Sequence, residues 1–163
     1  MLKRLATLLC CLPLVVSAAQ VIDLYQGKAP TSGDMTAAQS QALGEVLVKV
    51  TGRRDILTQP EVAKALAAPG DYVQHYGYQD AGPVKFLKAD FNVAKVNALV
   101  GQSKFPLLGP VRPQMALWLV IDEGERRILP DQSSDGWSAA LRGQAQAMGL
   151  PVSIPLMDLD DNM

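Results

Sequence analysis

Cysteine is nearly absent from this chain of 163 residues, and its two copies, Cys10 and Cys11, stand side by side near the N-terminus. Histidine occurs once, at His75, and aromatic residues make up only 6% of the sequence. Each scarcity removes a class of chemistry. With no cysteine after residue 11, the body of the chain must hold together without disulfides and has no thiol nucleophile. A lone histidine needs a nucleophile and an orienting carboxylate to act as a general base, and no GxSxG motif accompanies it. Neither a phosphate loop nor a dinucleotide fingerprint is present. No apolar run reaches the roughly 20 residues of a membrane-spanning helix.

What is present begins at residue 1. Lys3 and Arg4 precede an apolar run from Leu5 to Val16, and Ser17-Ala18-Ala19 follows, the three-part plan of a secretory signal peptide. Cleavage before Gln20 would remove both cysteines. Leu9 before Cys10, and Cys10 before Cys11, leave neither cysteine well placed for lipidation. A retained leader acting as a membrane tether is the alternative. The leader holds two of the fifteen basic residues and none of the sixteen acidic ones, so the remainder carries a net charge of −3. A mildly acidic surface argues against a general nucleic-acid binder, which needs a basic patch to neutralise phosphates.

The expected domain plan is a signal peptide over 1–19, an α+β domain over 20–101, a linker over 102–113 and an incomplete α/β unit over 114–163. Val21 to Lys28 reads as a first strand, and Pro30, Ser32, Gly33 and Asp34 as a turn. From Thr36 the apolar spacing becomes helical, with Leu43, Val46, Leu47 and Val50 on one face. Gly52 closes that helix, and Arg53 and Arg54 are placed to meet its negative end. Thr58-Gln59-Pro60-Glu61 has the form of a capping box opening a second helix to Ala68. Tyr72 to Tyr78 and Val84 to Phe91 form a hairpin turned at Gly82-Pro83. Asn92 caps a third helix whose inner face is Val93, Val96 and Val100, ending at Gly101.

After the Gly- and Pro-rich segment 102–113, Met115 to Ile121 is an unbroken apolar run, expected as a strand buried on both faces. A short loop or strand at Arg126 to Leu129 leads to a helix capped by Ser134, with Trp137, Leu141 and Met148 along one face. Val152 to Leu156 supplies a further apolar strand. Strand, helix and strand make a parallel βαβ unit. Two strands and one helix cannot cover both faces of such a sheet, so the missing layers are expected from a partner chain or from a C-terminal segment absent here.

Candidate contact residues are few. His75 and Tyr76 lie in the tyrosine-rich strand; Arg53 and Arg54, like Arg126 and Arg127, form a basic pair able to hold an anion. Asp158 and Asp160, with Asp161, form an acidic cluster after the last strand, where α/β sheets place ligands, but its spacing does not match a calcium loop. Trp118 and the tyrosines read first as core or cross-strand partners. No residue set points to a catalytic, cofactor or metal site.

Four segments together carry a family resemblance: Val46-Leu47-Val48-Lys49-Val50-Thr51-Gly52-Arg53-Arg54-Asp55, Tyr72-Val73-Gln74-His75-Tyr76, Arg112-Pro113 leading to Leu117-Trp118-Leu119, and Gly149-Leu150-Pro151 through Asp158-Leu159-Asp160. In combination they resemble the bacterial family called domain of unknown function 2066. The resemblance implies an exported envelope protein of Gram-negative bacteria with no assigned activity, and members that continue past the last segment. The leading expectation is therefore a non-catalytic periplasmic module that binds another envelope protein. An envelope hydrolase completed by residues beyond Met163 is the runner-up, followed by a membrane-tethered adaptor.

Overall fold

The computed structural model describes residues 20–21, 23–31, 33–81, 84–132 and 136–155. The leader, Ser32, the Gly82-Pro83 turn, Ser134, and the cluster of Asp158, Asp160 and Asp161 lie outside the described residues. The chain is mixed helix and strand, and its elements from residue 26 to 102 follow the expected β-α-α-β-β-α order.

Helix α1 (Met35–Thr51) is the centre of the molecule. Asp34 is extended and its Oδ1 accepts from the amides of Thr36 at 2.9 Å and Ala37 at 3.3 Å, which satisfies the first-turn donors. At the other end Gly52, at φ 69°, donates to Val48 O at 2.7 Å. Ala42, Leu43, Val46, Leu47 and Val50 are fully buried.

They pack on an antiparallel sheet of order β2-β4-β3, made of β2 (Gln26–Pro30), β3 (Val73–Ala81) and β4 (Val84–Phe91). Strand β4 alternates, with Leu87, Ala89 and Phe91 buried toward the helix and Phe86, Lys88 and Asp90 on the other face. Gly27 lets β2 lie directly against α1, because a Cβ there would sit 2.2 Å from the carbonyl oxygen of Ala42. Helices α2 (Pro60–Ala67) and α3 (Val93–Gln102) complete the core with Val62, Val96, Leu99 and Val100.

Several local expectations are corrected. The first strand is divided into β1 (Gln20–Val21) and β2, because Asp23 Oδ1 accepts the amide of Tyr25 at 3.3 Å and turns the chain. The piece before the turn pairs elsewhere, with β5 (Val111–Arg112). The capping box does not form: Thr58 donates its hydroxyl to Asp55 O at 2.8 Å, closing a 3₁₀ turn over Arg54–Thr58, and α2 starts after Gln59 with Pro60 in its first turn. In α3, Asn92 does cap, accepting from Lys95 N at 3.0 Å. Val93 is exposed, however, and Leu99 takes its place on the inner face. The chain reverses at Lys104, φ 58°, rather than at Gly101.

Beyond residue 113 the structure is thin. The run Met115 to Ile121 breaks into β6 (Met115–Ala116), parallel to β9 (Val152–Ser153), and β7 (Val120–Asp122), antiparallel to β8 (Arg126–Ile128). It is not buried on both faces. Leu117, Leu119 and Ile121 are half-buried, whereas Ala116, Trp118 and Val120 are exposed, so the described residues cover the run from one side. Helix α4 (Trp137–Ala147) starts after Gly136 and buries a single residue, Ser138. Trp137 is exposed, so the expected apolar face of Trp137, Leu141 and Met148 does not hold along the helix.

Candidate functional site

The candidate residues that the structure describes do not converge. Arg53 does not reach the carbonyls at the end of α1; its guanidinium closes on the carboxylate of Asp55, Nε to Oδ1 at 3.0 Å and Nη2 to Oδ2, and lies over the Phe105 ring at 5.2 Å. The hydrogen bond to Asp55 raises the Arg53 pKa and lowers that of Asp55. Arg54 donates to Gln144 Oε1 at 2.9 Å, linking the end of α1 to α4. The second basic pair is also engaged, Arg126 with Asp122 at 2.9 Å and Arg127 with Glu123 at 3.8 Å.

His75 and Tyr76 are neighbours in β3, so their side chains leave opposite faces of the sheet. His75 is exposed and stands opposite Asp90, whose Oδ1 already accepts from Gln26 Nε2 at 2.8 Å. Tyr76 is opposite Ala89 and Tyr78 opposite Leu87, on the helix side of the sheet, yet both are about half exposed, because among the described residues no element packs extensively on β3 there. Their rings meet edge to face at 6.3 Å, and Lys85 Nζ lies 5.5 Å from the Tyr78 ring.

The residue that meets the negative end of α1 is Arg112. Its Nη2 donates to Lys49 O at 2.6 Å, and its Nη1 donates to Met148 O at 3.1 Å and to Gly149 O. Nε adds a bond to Gly109 O at 3.3 Å. One buried guanidinium thus joins the C-terminal ends of α1 and α4, where both helix dipoles favour a cation. Burial lowers its pKa from the ordinary value, and the ring of carbonyl acceptors offsets that cost. Gly149, at φ 64°, holds the left-handed turn beside it that glycine favours, and a Cβ there would come within 2.8 Å of Arg112 Nη1 and press on the guanidinium. Nothing in the spacing of the sequence marks Arg112 as an anchor. Its only signal is a cation inside the short apolar stretch Val111 to Leu119.

Between α4 and the β2 side of α1 lies a cleft of about 410 Å³ lined by Asp23, Gln26, Lys49, Arg142 and Gln146. Its cations are committed within the chain. Lys49 Nζ pairs with Glu45 at 2.5 Å and donates to Gln26 O at 3.0 Å, and Arg142 pairs with Asp131. Among the described residues no group of three or more His, Cys, Asp or Glu side chains could hold a metal ion. No helix among them is long and apolar enough to cross a membrane.

Residues 18–109 match the family model described as domain of unknown function DUF8605. The chain belongs to DUF8605. This corrects the resemblance to domain of unknown function 2066, which is a different family and finds no support in the match. The DUF8605 match takes in α1, the three-stranded sheet, α2 and α3, and stops before Arg112. No curated protein and no solved structure matches the chain significantly.

Proposed function

We propose that this DUF8605 member is an exported, periplasmic, non-catalytic module that binds another protein of the cell envelope. The observation that carries the reading is the open apolar face of the strand run after Arg112, where Trp118 is 51% and Val120 is 59% exposed. Exposed apolar side chains that alternate along a segment such as the one from β6 to β7 are what a protein partner would cover. The leader motivates the compartment: Lys3 and Arg4, the apolar run and Ser17-Ala18-Ala19 have the order of a signal peptide.

The test is expression of the full chain in a Gram-negative host with a photoreactive residue at position 118. The reading expects N-terminal sequencing of the periplasmic product to start at Gln20, and illumination to yield one discrete crosslinked protein. A product that stays in the cytoplasm would refute the compartment. Turnover of envelope substrates that disappears on His75→Ala would refute the non-catalytic role.

A further inference from the structure

The two edges of the three-stranded sheet are treated differently. The bonds Thr31 N to Lys85 O, at 2.8 Å, and Phe91 N to Tyr25 O, at 2.9 Å, set the phase of the ladder. Odd-numbered residues of β2 bond to β4, so Gln26, Lys28 and Pro30 turn their backbone groups outward. That edge is closed. Lys28 N donates to Glu45 Oε2 at 2.9 Å, Gln26 O accepts from Lys49 Nζ at 3.0 Å, and Pro30 has no N–H to offer.

On β4 the even-numbered residues face β3, which answers with His75, Gly77 and Gln79. Tyr76, Tyr78 and Asp80 therefore turn their N–H and C=O groups to the outer edge. Among the described residues β3 is bonded to β4 alone. Apart from a bulge between Val73 and His75 and the charge of Asp80 near its end, this edge carries none of the usual protections: from Val73 to Gln79 there is no proline, lysine or acidic residue.

We propose that β3 pairs antiparallel with β3 of a second copy of this chain about a twofold axis at Gly77, joining two three-stranded sheets into one. The strand is self-complementary in that register. Tyr76 meets Tyr78 of the second copy, and His75 meets Gln79. Asp80, the one acid in the strand, falls toward the bulged Gln74 of the second copy, outside the regular pairs, so no like charges oppose. Gly77 falls on the narrow, non-hydrogen-bonded pair, where Cα atoms approach to about 4.5 Å. This edge is separate from the open face at Trp118.

Sedimentation equilibrium of the full chain tests the proposal. Tyr78→Pro removes an N–H that β4 does not use, and Tyr78→Lys sets a cation beside the twofold axis without altering the backbone. Both are expected to convert a dimer to a monomer with an unchanged circular dichroism spectrum, and if the proline variant misfolds the lysine variant decides. Gly77→Cys is accommodated, since a Cβ there meets nothing within 4 Å. Under oxidation it should give a 77–77 disulfide, mapped by peptide mass spectrometry apart from Cys10 and Cys11, because the expected spacing suits a disulfide. A monomeric full chain, a dimer that survives both Tyr78 substitutions, or oxidised Gly77→Cys without the 77–77 bond would each overturn self-pairing. A dimer dispersed only by Trp118→Glu would do the same and move the interface to the other region.

Discussion

Helices α1 and α4 lie against each other and are held in opposite ways. Eleven residues of α1 are buried, and every residue of its C-terminal stretch from Val46 to Thr51 is among them. In α4 only Ser138 is buried. The first helix is fixed by apolar packing. The second is fixed by polar clasps: Arg112 to the carbonyls of Met148 and Gly149, Arg54 to Gln144, and Arg142 to Asp131. Apolar burial stabilises in proportion to area, whereas a clasp depends on a few atoms keeping their geometry. The region before residue 110 should therefore unfold as a unit, and the region after Arg112 should open first.

The sharpest break of this contrast is Leu47→Ala. Leu47 is fully buried between the sheet and the rest of α1's neighbours, and removing three carbons leaves a cavity that a central helix cannot close. The expected loss is about 3 kcal/mol, read as a lower midpoint in urea denaturation with an unchanged slope. A loss under about 1 kcal/mol would show that α1 is less tightly enclosed than its burial indicates.

Arg112→Ala addresses the other side of the comparison and should cost about 2 kcal/mol, since it removes charge-assisted bonds to several carbonyls at once. Its signature is spatial. Hydrogen exchange should accelerate in α4 and β9 while α1 and β4 keep their protection. Arg112→Lys should recover little, because a single ammonium cannot span Lys49 O and Gly149 O as the guanidinium fork does. Equal acceleration in both regions would mean that the clasp belongs to one cooperative core.

The same division explains what could be read from the chain beforehand. In the packed region, periodicity and local chemistry agree: Leu43, Val46, Leu47 and Val50 gave the helix, Gly52 its end and Asn92 the cap of α3. The departures there are local competitions, such as Thr58 bonding to Asp55 O instead of capping α2. In the thin region the apolar run Met115 to Ile121 suggested burial that its neighbours do not supply, because a run of hydrophobic residues reports demand for cover and not its presence. The candidate contacts failed for a related reason. Arg53 lies where a helix end predicts a cation, but Asp55 two residues on offers a closer partner, and Arg112, 63 residues from Lys49 in sequence, occupies the helix end. The open edge of β3 was equally hidden, since edge or centre is a property of strand order.

Trp118→Ser is the smallest expected effect and the cleanest check on the thin region. Trp118 is half exposed on the open face, so its loss removes less packed surface than Leu47→Ala takes from the core, and stability should fall by about 1 kcal/mol. Surface properties should move further than stability does. A half-exposed tryptophan beside Val120 promotes association, so the serine variant should bind an apolar dye such as ANS less while its urea midpoint moves far less than that of Leu47→Ala. A drop in midpoint comparable to that of Leu47→Ala would show that Trp118 is packed in solution, and the contrast between a buried helix and a clasped one would then fail at its exposed end.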